Sequence, residues 1–280
     1  MLSNHSDRLF VYMTRAIKIA PFVLCLGAHH LLSQQSTFDK DEIRRYRIRK
    51  VTIQIDYGNN VRLSFTREFD RKGNLLKEVG FGSDGQPNLK QQYNYDNRDN
   101  IVEASSDGRI QRVTWVYDES GHATASRVFD GNGELQGSRT FRLNDRGKVV
   151  EDKSYDSAGQ PIHVQQTSYD SLGNMVQQTE RDGDGKLIGR KEHRFNQSGD
   201  AVETLTYDSN NHLSSRTSYK YGDGTDTRHL VEQTDYAPNG ALQNRRTLTR
   251  DNQGFVVKEL QSDANGKANT VTEFVYEFYD

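Results

Sequence analysis

From residue 69 to the end of the chain, apolar and polar side chains alternate with a period of two, and short polar breaks interrupt the alternation at regular intervals. Leu75, Lys77, Val79 and Phe81 share one face of such a segment, and Leu76, Glu78 and Gly80 share the other. This periodicity predicts strands, with side chains pointing alternately to opposite sides. Each break opens with an aromatic residue, followed by Asp, two variable residues and Gly. It reads Phe69-Asp70-Arg71-Lys72-Gly73, then Tyr117-Asp118-Glu119-Ser120-Gly121, Phe129-Asp130-Gly131-Asn132-Gly133, Tyr155-Asp156-Ser157-Ala158-Gly159 and Tyr169-Asp170-Ser171-Leu172-Gly173. Looser copies begin at Phe81, Tyr95, Leu143, Arg181, Phe195, Tyr207, Tyr236, Arg250, Ser262 and Tyr276.

From Tyr117 to Tyr207 these anchors are spaced alternately 12 and 14 residues apart, and Phe69, Phe81 and Tyr95 keep the same rhythm. Two steps depart from it. Tyr95 to Tyr117 spans 22 residues, which fits a unit that has lost four turn residues around Asp107-Gly108. Tyr221 to Tyr236 spans 15, which fits an insertion of three around Gly222-Asp223-Gly224-Thr225. A 26-residue repeat built from two antiparallel strands accounts for the whole pattern.

The letters of the break follow from turn chemistry. Asp or Asn at the first position of a type I turn accepts hydrogen bonds from the backbone ahead of it. Gly at the fourth position supplies the left-handed conformation that a hairpin with a G1 bulge requires. Asp99 and Asn211 replace that glycine in two copies, and both residue types tolerate the conformation. Steps of 12 and 14 are both even, so the anchors are expected to return to one face, and the lone step of 15 is expected to carry a bulge.

The fold expected is all-β: a long antiparallel β-meander of tandem hairpin repeats, roughly 18 strands in all, with no helix after residue 36. A sheet of that size curls, splits or closes, and a curled or spiral sheet is expected here. Residues 69–280 form the tandem repeats. Residues 36–68 read as an opening hairpin, with Val51, Ile53 and Ile55 facing Val61, Leu63 and Phe65 across Tyr57-Gly58-Asn59-Asn60. Thr270 to Asp280, apolar on both parities, reads as a closing strand buried by a neighbour, a cap, or a partner surface.

Residues 1–35 change the picture of where the chain works. Arg15 and Lys18 precede a ten-residue apolar run, Ile19 to Ala28, the length of a signal-peptide core and half that of a membrane-spanning helix. Met13 is an alternative start, and cleavage is expected near Ser33 to Gln35; a buried N-terminal helix is the competing reading. The only cysteine, Cys25, lies within this run, so a mature chain has no disulfide and no thiol chemistry. It also has no transmembrane segment, and export to the periplasm, the cell surface or the medium is expected.

Hydrophobic residues make up 33% of the chain, and the 37 basic and 39 acidic residues nearly cancel. The core must be thin, and no basic surplus marks a nucleic-acid partner. Motif chemistry is sparse. Asp182-Gly183-Asp184-Gly185 and Asp130-Gly131-Asn132-Gly133-Glu134 contain calcium-loop letters, but the twelfth positions are His193 and Phe141 rather than Glu. They read as ordinary turns in phase with the rest. His122 and His212 follow turns, His163 and His193 lie in strands, and His229 sits near the insertion, with no metal-ligand spacing among them. No catalytic, metal or cofactor residue is assigned, and no ligand-binding residue can be named. Trp115, beside the shortened turn, either stacks on a sugar or is a core or edge residue that compensates the deletion.

Tyr169-Asp170-Ser171-Leu172-Gly173-Asn174 resembles the YD-repeat (Rhs-type) family, and the likeness extends from about residue 69 to the end. Its well-known members form spiral β-sheet shells on bacterial surfaces, some around a toxin domain, with repeats often described as carbohydrate-binding. The resemblance implies an exported, non-catalytic binding or structural module at the cell envelope or beyond it, with a glycan or protein partner. A shell or escort around a separately encoded polypeptide is the alternative.

Overall fold

A computed structural model describes residues 40–58, 62–222 and 229–280. The expected signal peptide, the tip of the opening hairpin and most of the three-residue insertion lie outside these residues. A short helix α1 (Lys40–Arg45) leads into β1 (Ile48–Asp56), β2 (Arg62–Phe69), β3 (Leu75–Phe81), β4 (Pro87–Tyr95), β5 (Ile101–Ser106) and β6 (Arg109–Tyr117). Next come β7 (Ala123–Asp130), β8 (Leu135–Leu143), β9 (Val149–Asp156), β10 (Pro161–Tyr169), β11 (Met175–Asp182) and β12 (Leu187–Phe195). The chain ends with β13 (Ala201–Tyr207), β14 (Leu213–Tyr221), β15 (Leu230–Tyr236), β16 (Leu242–Arg250), β17 (Val256–Asp263) and β18 (Ala268–Phe278).

All 18 strands belong to one antiparallel sheet, each paired with its neighbours in sequence. The sheet is closed. β1 pairs with β2 and also with β18, from Ile48↔Phe278 to Asp56↔Val271. The expected curled or spiral sheet is therefore corrected to a barrel. Closure satisfies the backbone groups that a spiral leaves unpaired along its first and last strands, which is the one complete remedy for exposed edges. The closing strand was foreseen; its partner, the first strand, was not.

The turns are built as their letters require. In the β10–β11 turn, Gly173 N–H donates to the Asp170 carbonyl at 3.1 Å, and Asn174 N–H donates to Asp170 Oδ1 at 2.8 Å. The same bonds recur at Asp70, Asp96, Asp130, Asp156, Asp182, Asp208, Asp251 and Asp263. Asp99 and Asn211 take the glycine's left-handed conformation, at φ 63° and 62°.

The face assignment differs from expectation. In the β10–β11 hairpin Ser168 pairs with Gln177 and Tyr169 with Met175, so one residue of β11 is skipped. Such a bulge marks every hairpin except β1–β2 and β5–β6. One bulge combined with an even step reverses the face, so successive anchors alternate between the two sides. Phe69, Tyr95, Tyr169, Tyr221 and Tyr276 look inward, at the end of the barrel that carries α1. Phe81, Phe129, Tyr155, Tyr207 and Tyr236 look outward at the other end. The bulge foreseen for the step of 15 is the general rule.

The helix is a second correction. Six residues are too few to show an amphipathic period. Asp41 and Glu42 in its first turn and Arg44 and Arg45 in its last complement the helix dipole, and Ile43 is buried beneath it. Ile43 packs with Ile48, Val51, Ile53, Phe69, Tyr93, Phe255, Val256 and Phe274 into the main apolar core. That core occupies only the arc of inner wall from β16 through β18 and β1 to β5.

A candidate ligand site on the polar arc of the inner wall

The opposite arc, β8 to β15, contributes none of the buried hydrophobic residues among those described. Its inward positions below the anchors hold Arg139, Asp152, His163, Gln165, Gln178, Glu180, Lys191, His193, Thr204, Thr217 and Asp235. Most are half-buried, in contrast to Val51 and Phe274 on the apolar arc, at 0% and 6% exposure. The register explains this division. Strands of the polar arc carry mostly polar residues at their inward positions, where Asp152 and Thr204 are buried in hydrogen-bonded pairs, whereas β1, β2 and β4 place aliphatic or aromatic residues at consecutive inward positions.

Charges on the inner wall are mostly paired across adjacent strands. Arg139 Nε donates to Asp152 Oδ1 at 3.0 Å, and Arg246 Nη2 to Glu259 Oε2 at 2.6 Å. Arg67 pairs with Glu78 in the same manner. Further round, His163 Nε2 lies 3.8 Å from Glu180 Oε2, and Gln178 Nε2 donates to Glu180 Oε1 at 3.3 Å. A polar chain crosses three strands: His193 Nδ1 is 2.9 Å from Thr204 Oγ1, which is 3.2 Å from the Tyr219 hydroxyl. Burial, with the Lys191 charge adding to it, lowers the His193 pKa and favours the neutral imidazole. Thr217 Oγ1 donates to Asp235 Oδ1 at 2.7 Å.

The inward anchors brace the rim above this arc. Tyr169 donates to the Val149 carbonyl at 3.0 Å and Tyr221 to the Ala201 carbonyl at 3.0 Å, each reaching 20 residues back. Tyr95 to Leu75 and Tyr276 to Val256 repeat the bond at 2.7 Å. Between the β8–β9 and β10–β11 turns a cleft of about 400 Å³ opens over Val150, Thr167 and Tyr169, which are inner-wall residues. Arg146 Nη1 donates to the Ser171 carbonyl at 2.7 Å and Lys148 Nζ to the Gly173 carbonyl at 2.5 Å, tying the two turns together across it.

Of the residues singled out in the sequence, only His163 and His193 fall on this arc. His122 and His212 stay at their turns, 3.3 and 3.9 Å from Asp118 and Asp208. His229 lies close to Gly254, at the end of the barrel that carries α1. In the two Asp-Gly loops, Oδ1 of Asp182 and of Asp130 accepts backbone N–H groups, as in the other turns. Among the described residues no three His, Cys, Asp or Glu side chains gather to hold a metal. Trp115 belongs to the wall: its indole N–H bonds the Ile101 carbonyl, and its ring stacks 6.1 Å from Phe141. The polar arc itself could not be named from the sequence, because the bulges decide which polar residues face inward.

The outer wall carries charged and polar groups at mid-strand, among them Lys90 and Gln92, Arg112 and Thr114, Arg190 and Glu192, and Arg216 and Ser218. A lipid-facing barrel wall presents an apolar band there. Among the described residues no helix is long and apolar enough to cross a membrane.

No protein-family model matches the chain, and no curated protein matches it. Among solved structures, a porin-like protein from Bacteroides uniformis is 14% identical over 82% of this chain and 98% of its own, with a TM-score of 0.47. A porin-like protein from Bacteroides vulgatus is 15% identical over the same shares, with a TM-score of 0.40. The Tc holotoxin pore of Photorhabdus luminescens is 12% identical over 77% of this chain and 15% of its own, with a TM-score of 0.28. The likeness to the YD-repeat family thus stands on the turn motif, without a family model behind it. None of these structures reaches a TM-score of 0.5, and function has to be argued from the wall.

Proposed function

We propose that the chain is an exported, non-catalytic binding module of the cell envelope or its surroundings, and that it takes a hydrophilic ligand, a carbohydrate, on the polar arc of its inner wall. The carrying observation is the contrast between the two arcs. One is sealed by α1 over an apolar core. The other is mostly half-buried and dense in hydroxyl, amide and paired ionic groups, with the cleft over Val150, Thr167 and Tyr169 at its rim. Fixed polar groups with a few aromatic rings suit a ligand rich in hydroxyls. Export is supported by the apolar run Ile19 to Ala28 behind Arg15 and Lys18. The charged outer wall supports a barrel that stands in water rather than in a bilayer.

The test compares two neighbours on β14. Ser215 faces the inner wall and Ser214 faces out. A panel of neutral and acidic oligosaccharides is expected to bind the wild type, to lose binding with Ser215→Trp, and to keep it with Ser214→Trp. Binding that survives Ser215→Trp, or no binding above background, would overturn the proposal.

A further inference from the structure

Lys191 stands apart from the paired arginines of the inner wall, and the repeat shows why. Arg139 lies four residues before its anchor, Leu143, and pairs with Asp152, nine residues after it. Arg246 and Glu259 stand in the same places around Arg250. Around the anchor Phe195 the corresponding residues are Lys191 and Thr204. Here the cation is kept and its acid is replaced by a threonine. Lys191 gives no hydrogen bond and no ion pair among the described residues. Its cross-strand neighbours, Gln178 and Thr206, are neutral.

A lysine on the half-buried inner wall with no ion-pair partner is a place for an anionic group brought by a ligand. The surroundings say which kind. Of the two acids facing inward on β11, Glu180 is already engaged by Gln178 and lies near His163, and Asp182 Oδ1 accepts the backbone N–H groups of its own turn. His193, two positions along the same face and about 7 Å away along the strand, has a buried Nε2 with no partner. With the Thr204 hydroxyl bonded at Nδ1, a proton on Nε2 makes a second donor. Thr204, Thr206, Ser215 and Tyr219 add hydroxyls around the pair.

We infer that Lys191 marks a subsite for the carboxylate of an acidic saccharide, the ligand supplying the acid that Asp152 and Glu259 supply in the other repeats. This rests on the inner-wall reading above and narrows its ligand class.

Calorimetric titration of the full chain with trigalacturonate and with neutral maltotriose tests it. Trigalacturonate is expected to bind more tightly than maltotriose. Lys191→Gln is expected to weaken it at least about tenfold and leave maltotriose unchanged. Thr204→Asp, which rebuilds the internal counter-ion, is expected to block trigalacturonate while the unfolding midpoint stays at or above that of wild type. Equal affinity for the two sugars, or equal loss of both with Lys191→Gln, overturns the carboxylate subsite and leaves the inner-wall site standing. Binding of neither sugar overturns both.

Discussion

The indole N–H of Trp115 donates to the Ile101 carbonyl at 2.8 Å, in the place where the other repeats use a tyrosine hydroxyl. Tyr95, Tyr169, Tyr221 and Tyr276 each bond the carbonyl 20 residues back. With four residues missing from the β5–β6 turn, that carbonyl falls 16 residues before Tyr117, at Ile101. Trp115, two positions earlier on the same face, reaches it, and the Tyr117 hydroxyl bonds Asp96 at 2.5 Å instead. Trp115→Phe is therefore expected to cost about 1 kcal/mol, the worth of one intramolecular hydrogen bond, and Tyr169→Phe a similar amount. Urea unfolding followed by circular dichroism measures both. A neutral Trp115→Phe would remove the compensation argument.

Much of this architecture was legible because it is local. The Asp-x-x-Gly letters specify the turn wherever they stand, and Asp99 and Asn211 were readable as left-handed substitutes from their side chains alone. The faces were not legible. A single skipped residue, as at Val176 between Met175 and Gln177, has no letter of its own, yet it inverts every inward position of the next strand. His193 was in view as a strand histidine, but only the register places it inside, with Lys191 beside it on the same face. Closure was hidden for another reason. Val51 and Tyr276 meet across 225 residues, and a single chain carries no signal for that pairing beyond apolar character at both ends.

The Arg139–Asp152 pair lies largely out of solvent, with side chains 20% and 11% exposed. Removing one partner of such a pair strands the other charge, so Asp152→Ala is expected to lose about 3–5 kcal/mol. Replacing both by hydrophobic residues of similar volume, Arg139→Met with Asp152→Leu, is expected to recover most of that loss. A double-mutant cycle in urea reads the coupling, and additive effects would mean that the pair is decoupled in solution.

Asp99 gathers one turn, its neighbour and α1. Lys72 lies 3.0 Å from its carboxylate, Asn74 3.1 Å and Lys40 3.3 Å. The Lys72 bond first, then Asn74 and Lys40, hold its pKa at about 2 against the opposing effect of burial. A lowered carboxylate pKa gives stability that is complete above the unfolded value of about 3.9 and lost as pH falls through about 2. Asn tolerates the same left-handed backbone, so Asp99→Asn changes the charge alone. The stability gap between wild type and Asp99→Asn should be widest above about pH 4 and close toward pH 2. A gap that is flat across that window would show the three contacts to be absent in solution.

Gly73 carries two constraints where Gly159 carries one. Both have positive φ, at 86° and 80°. A Cβ at Gly73 would sit 2.5 Å from the Lys40 carbonyl oxygen, while one at Gly159 would meet nothing within 4 Å. Gly159→Ala is expected to cost only the left-handed penalty of about 1–2 kcal/mol. Gly73→Ala adds a backbone clash that α1 relieves by lifting from the core. Hydrogen exchange at Ile43 and Tyr46 should then rise in Gly73→Ala and stay unchanged in Gly159→Ala.

A cross-link tests closure directly. Thr52 on β1 and Val275 on β18 are register partners that both face outward. Paired residues on adjacent strands bring their Cβ atoms to about 4.5–5.5 Å, within reach of a disulfide after small adjustment. In a Cys25→Ser background, Thr52→Cys with Val275→Cys should oxidise to an intramolecular bond in dilute protein. The bond closes a loop of more than 200 residues. Constraining so long a segment of the unfolded chain should raise stability by up to about 5 kcal/mol. A mismatched control, Gln54→Cys with Val275→Cys, lies two positions out of register on the same face and should form the bond poorly. In an open, spiralling sheet, β1 and β18 would be free edges held apart, and the matched pair would stay reduced or link one molecule to another.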